Sequence, residues 1–160
     1  MRILSLITFG VMTIVIAVMT SQMGVAQSSG GARLAGTWDT VVTIRNCATG
    51  DAIASFQSVG AFNQGGTFSG ITSGTAPAAR SAEQGVWEHV KSDTYRFRFK
   101  AYFFNAAGIA TSYQLVTHEL ELNGDASSWS SSGTSEIFTM TGTPLATGCS
   151  TAQAIRMSID

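Results

Sequence analysis

The chain has 160 residues, with 9 basic against 10 acidic side chains and only 12% charged residues. There is no basic block, so nucleic-acid binding lacks its electrostatic footprint. No long stretch has the charge or low complexity of a disordered segment.

The first stretch runs Met1-Arg2, then Ile3 to Met19 without a charge, then Thr20-Ser21-Gln22 and Gly24-Val25-Ala26. A basic start, an apolar middle and small residues before a cut after Ala26 read as a secretory signal peptide over 1–26. The apolar run, about 17 residues, is short for a bilayer span, and no stable span is expected after processing. No cysteine follows it to carry a lipid anchor. Residues 27–35, opening on Gln27-Ser28-Ser29-Gly30-Gly31, are expected as a flexible segment and 36–160 as the folded domain. That length supports one domain with a real core. The predicted destination is the periplasm or the outside medium. Cys47 and Cys149 are the only cysteines. In an exported chain they most simply form one disulfide, and neither has a Cys-x-x-Cys partner or a neighbouring histidine to make it a catalytic thiol.

Beyond the leader, short runs of alternating apolar and polar residues recur between turn residues, which is the signal of an all-β meander. The alternation predicts eight strands, at 36–47, 53–62, 66–73, 82–90, 94–104, 109–123, 127–140 and 148–158. Asn63-Gln64-Gly65-Gly66, Lys91-Ser92-Asp93, Asn105-Ala106-Ala107-Gly108 and Asn123-Gly124-Asp125 are hairpin-sized connections whose residues tolerate positive φ. Ala48 to Asp51 and Thr141 to Pro144 serve the same purpose, and only Ser73 to Ser81 makes a longer loop. No gap is long enough for a crossover helix, so the strands are expected to be antiparallel.

In the fifth strand Tyr95, Phe97 and Phe99 fall on one face and Arg96, Arg98 and Lys100 on the other, so one face is buried and the other wet. Glu119 and Glu121 on the next strand are expected beside Arg96 and Arg98 outside. On the seventh strand Trp129 and Phe138 have opposite parity, which predicts a bulge near Gly133 or a break in the strand.

Closure of the eight strands into an up-and-down barrel removes both sheet edges. It also makes the first and last strands antiparallel neighbours, as a Cys47–Cys149 bridge requires. Setting the cysteines opposite one another predicts a register in which Thr40 faces Arg156 and Trp38 lies diagonally from Arg156.

Gly36-Thr37-Trp38 on the first strand, with Arg156 on the last, resembles the Gly-x-Trp and closing-strand arginine of the lipocalin or calycin barrels. The resemblance implies that Arg156 packs across Trp38 and seals one end. Avidin-like barrels also begin with Gly-x-Trp, and allene-oxide-cyclase-like and dirigent-like barrels share the size and strand count. The resemblance further implies an open mouth at the connections near 48–51, 73–81, 105–108 and 141–147. The other three connections would then lie with Trp38 at the closed end.

Eight strands leave an interior that is either filled by side chains or holds one small ligand. The alternation turns inward Trp38, Thr40, Val42 and Ile44, then Phe56, Phe62 and Phe68, then Trp87 and His89. The series continues with Tyr95, Phe97, Phe99 and Phe103, then Gln114, Val116, His118 and Leu120, and ends on small Ser150, Ala152 and Ala154. An apolar lining with few polar groups suits a small hydrophobic molecule, with Phe56, Trp87, Phe97, Phe99, Gln114 and His118 as its expected contacts. His118 and His89, if inward, orient a ligand or act as acid and base. Glu136, if inward, is the first carboxylate to suspect of general-base work. No metal-ligand spacing or cofactor motif is present, and neither a metal nor a cofactor is expected.

Three functions compete. They are a carrier enclosing a hydrophobic molecule, a cyclase- or isomerase-type barrel enzyme using His118 or Glu136, and a filled barrel serving as a structural or interaction protein. Outward Ile155, Met157 and Tyr102 would support the last if they formed one patch.

Overall fold

The computed structural model describes residues 31–159. The expected signal peptide, 1–26, lies outside the described residues. Eight strands follow a short helical turn, α1 (Gly31–Leu34): β1 (Gly36–Arg45), β2 (Ala52–Asn63), β3 (Thr67–Thr72), β4 (Glu83–Lys91), β5 (Thr94–Phe104), β6 (Ala110–Leu122), β7 (Ser128–Thr139) and β8 (Pro144–Arg156). Each pairs antiparallel with the next and β8 returns to β1, so the sheet closes as an all-β, eight-stranded up-and-down barrel. Alternation decides the facing of each strand. On β5, Tyr95, Phe97, Phe99 and Ala101 are buried while Arg96 and Arg98 are exposed, as a sheet with one dry face demands.

The closing register differs from the expected one by two residues. Trp38 pairs with Arg156 and Arg45 with Cys149, so Thr40 faces Ala154 rather than Arg156. The Cys47–Cys149 disulfide is present, with Cα atoms 5.2 Å apart. However, β1 ends at Arg45 and Cys47 lies in the turn beyond it. The bridge therefore joins a turn residue to a strand residue and does not mark a paired position. A two-residue offset preserves parity, which is why the inward set survives.

Two smaller expectations also change. β7 runs without a register shift through Gly133, and its irregularity falls between Ile137 and Phe138. The opposite parity of Trp129 and Phe138 needs no bulge, because Trp129 points inward and Phe138 outward, where it stacks on Tyr113 at 5.2 Å. β8 starts at Pro144, not at 148, with proline at the strand's first residue where a missing donor is tolerated. On the outside, Arg96 pairs in register with Glu119, yet its ion pair is with Glu88 at 3.9 Å. Both are well exposed, and such a pair contributes little.

One end of the barrel is solid. Trp38, Phe62, Trp87, Tyr95, Leu120, Leu122 and Trp129 fill it, with rings meeting edge to face, as in Trp38–Trp129 at 6.1 Å and Phe62–Trp87 at 6.0 Å. The Arg156 guanidinium lies 4.2 Å from the Trp38 ring centroid. It donates to the main-chain oxygens of Ala126, Ala35 and Arg33 at 2.8, 2.8 and 2.5 Å. Gly36, at φ 144°, leaves the space that Arg156 Nη1 occupies, so no side chain fits there. The last residues of the segment expected as flexible are folded against this end. Leu34 is fully buried and its carbonyl accepts from Trp38 Nε1 at 3.1 Å, while Arg33 pairs with Asp93.

Candidate functional site

The other end of the barrel is hollow. A cavity of about 220 Å³ opens there, floored by Phe62, Phe97 and Trp129 and walled by Val42, Ile44, Phe56, Phe68 and Phe99. Thr72, Gly74, Thr75 and Phe103 form its rim, so the mouth lies at the long 73–81 loop. A cavity of about 150 Å³ accepts benzene; this one has room for a somewhat larger molecule.

Of the residues expected to contact a ligand, Phe56, Phe97, Phe99, Gln114 and His118 line the cavity together. Trp87 does not. It belongs to the solid end, packing on Phe62 and Tyr95 and donating Nε1 to the Asn63 carbonyl at 3.0 Å. His89 is likewise displaced, with Nε2 2.7 Å from the Ser92 carbonyl and its ring 5.0 Å from Tyr95. Glu136 is exposed on the outer face. On β7 the odd positions carry Trp129 and Ser131 inward, so position 136 points to water and cannot serve as a base in the barrel.

His118 is 3% exposed, with Nδ1 2.9 Å from Ser131 Oγ and Nε2 2.9 Å from Ser150 Oγ. Gly133 makes room for it, since a side chain there would collide with the imidazole. Burial lowers its pKa from 6.5 to about 4, so the ring is neutral at pH 7 and both nitrogens are occupied by hydroxyls. The Ser150–His118–Ser131 chain has the connectivity of a nucleophile, base and orienter. A serine stands where a carboxylate would support the imidazolium, however, and a base with this pKa draws a proton weakly at neutral pH. The arrangement fits an ordered polar strut across β6, β7 and β8.

The strongest electrostatic feature of the cavity is a pair that the sequence reading passed over. Glu83, on β4, accepts from Arg80 Nη1 at 2.8 Å, and the side chains are 6% and 7% exposed. Arg80 Nη2 donates to Gln114 Oε1 at 3.2 Å, and the guanidinium lies 5.9 Å from the Phe103 ring. Arg80 is aimed inward because the loop ends in extended backbone bridged to β5, with Arg80 opposite Phe103. Ser81 exchanges bonds with Tyr102 beside it. Glu83 Oε2 lies against Gly70, where an added Cβ would sit 2.8 Å away. It makes no hydrogen bond to a described residue. Burial raises the Glu83 pKa and Arg80 opposes the rise. Glu83 shares odd parity with inward Trp87, so a charged residue in the inward phase was the available signal. Arg80 lies in an irregular loop and gave none.

Trp129 Nε1 is the one fully buried side-chain donor without a partner among the described residues. Also among the described residues, no group of three His, Cys, Asp or Glu is placed to hold a metal ion. No helix there is long and apolar enough to cross a membrane.

No family model matches the sequence, and no curated protein matches it. Among solved structures the chain is similar to Rv2717c from M. tuberculosis, with 11% identity and a TM-score of 0.39 over 82% of this chain and 99% of that one. It is also similar to the S-type phycobiliprotein lyase CPES from Guillardia theta, with 11% identity and a TM-score of 0.40 over 81% of this chain and 92% of that one. Neither likeness carries an argument about what this chain binds.

Proposed function

We propose that this protein is an exported, calycin-type barrel that binds a small hydrophobic molecule in its open half. The observation that carries the reading is the contrast between the two ends. Rings and Arg156 fill one, and the other holds a cavity of about 220 Å³ whose walls are mostly aromatic. Filling the open half would have bought about 25 cal/mol for each Å² of apolar surface removed from water, so a hollow there argues for occupancy. The Cys47–Cys149 bridge supports an oxidising compartment. Arg156 over Trp38 supports the calycin type.

The interaction-protein reading has less support. Ile155 and Met157 are exposed at the end of β8, whereas Tyr102 is on β5, so the three form no single patch. The enzyme reading rests on one observation, Glu83, a buried carboxylate of raised pKa facing the cavity.

Native mass spectrometry of the protein purified from its own compartment tests the proposal. A bound mass of a few hundred daltons, released on denaturation, is the expected result. A clean apo mass after incubation with lipid extract would count decisively against it.

A further inference from the structure

We infer that the cavity's occupant is an uncharged molecule that carries a hydrogen-bond donor and sets it on Glu83 Oε2. This rests on the ligand-binding reading above.

Among the described residues lining the cavity, Arg80 and Glu83 are the charged ones, and they are bonded to each other at 2.8 Å. His118, held between two serine hydroxyls, is neutral at pH 7. The chamber's formal charge is therefore zero. An anionic ligand would set a second negative charge against the single Arg80, and a cationic ligand a second positive charge against the single Glu83, even where it bonds a free N–H or Oε2. Either leaves a buried charge without its counter-charge among aromatic walls, and an uncompensated buried charge is strongly disfavoured. An uncharged molecule leaves the pair intact.

The donor follows from the unused valences. Glu83 Oε1 is taken by Arg80. Oε2, pressed on the bare face of Gly70, accepts from no described residue. A carboxylate oxygen in a low-dielectric wall gains most from a hydroxyl or amide N–H. A ligand that buries it without supplying a donor removes its hydration and returns nothing. Gln114 Oε1 is already engaged by Arg80, which leaves Glu83 as the acceptor on this side. The occupant is thus an apolar body with a hydroxyl or N–H at its mouth-facing end.

Isothermal titration calorimetry at pH 7 with four bicyclic probes tests this: 2-naphthol, 2-methoxynaphthalene, 2-naphthoate and 2-naphthylmethylammonium. On the wild-type protein 2-naphthol should bind tightest, at least tenfold over both ions and severalfold over the methyl ether, which keeps the oxygen but loses the donor. Glu83→Gln leaves Arg80 uncompensated and should invert the order, so that 2-naphthoate binds at least as well as 2-naphthol. The wild-type ranking decides the question even if that variant does not fold. If either ion binds within threefold of 2-naphthol, the neutrality argument is wrong. If the methyl ether matches 2-naphthol, the donor argument is wrong. Binding by none of the four would overturn the ligand-binding reading itself, an outcome distinct from a wrong ranking.

Discussion

The neutral, buried His118 should make the fold acid-sensitive in a window set by one residue. In the unfolded chain the imidazole takes a proton near pH 6.5, and in the barrel burial holds it off until about 4. Between those values the unfolded state binds the proton and the native state does not. Stability therefore rises with pH through the window and is lost as pH falls. Holding the proton off from 6.5 to about 4 corresponds to about 3 kcal/mol at its full extent; between pH 7 and pH 4.5 it amounts to about 2 kcal/mol. Glu83 acts in the opposite sense. Its raised pKa favours the folded state as pH falls towards the ordinary carboxylate range, so wild type alone mixes the two effects. The comparison with His118→Gln separates them, because Glu83 is present in both and an amide keeps a donor and an acceptor between Ser131 and Ser150. Urea denaturation at pH 7 and 4.5 is the assay. With an m-value of about 1–3 kcal/mol per M, wild type should lose roughly 1 M more in midpoint than the variant. Equal losses would refute the assignment of a neutral, proton-refusing His118.

Arg156→Met should remove the donors to Ala126, Ala35 and Arg33 and the contact with Trp38; about 3 kcal/mol is expected, read as a fall in Tm of roughly 10 °C. Replacing Cys47 and Cys149 by alanine opens a loop of 102 residues, whose chain-entropy value is at most about 5 kcal/mol. The urea midpoint should fall while near-ultraviolet dichroism persists, since the β1–β8 ladder from Trp38 to Arg45 does not depend on the bridge. Val42→Phe places a ring in the cavity that Val42 lines; calorimetry should show probe binding lost with thermal stability unchanged or raised, and retained binding would mean the ligand sits elsewhere.

Much of this architecture was legible because a barrel strand is buried on one face only. Period-2 alternation then assigns each side chain to lumen or solvent, and the inward series from Trp38 through Ile44 and from Tyr95 through Phe103 follows from it. Depth along the axis is not written in that period. Tyr95 and Phe99 share a phase on β5, yet Phe99 walls the cavity and Tyr95 sits in the solid end. The Cys47–Cys149 pairing was readable because two cysteines leave one choice. Its register was not, because a disulfide fixes where two sulfurs meet and not where β1 ends. Arg80 was invisible for a different reason, as its inward aim comes from a single bridge to Phe103 at the end of an irregular loop.

The hollow has its own sequence logic, which alternation alone does not express. On the wall between the mouth and the solid end, several inward-phase positions are glycines, and large groups of neighbouring strands lie flat on them. A Cβ at Gly60 would meet the Phe68 ring at 2.9 Å, one at Gly74 the Phe56 ring at 2.8 Å, and one at Gly70 the Glu83 carboxylate at 2.8 Å. Each missing side chain lets a ring or carboxylate recline against the wall instead of projecting across the lumen. Ala152 on β8 has the same consequence from the facing side. At the solid end the inward positions carry Trp38, Phe62, Trp87 and Trp129, which cross the lumen and interlock. The same eight-stranded frame is thus full where large side chains face one another and empty where large ones lie over glycine. That division, more than aromatic content, makes the open half a chamber that also exposes the one unsaturated carboxylate oxygen of Glu83.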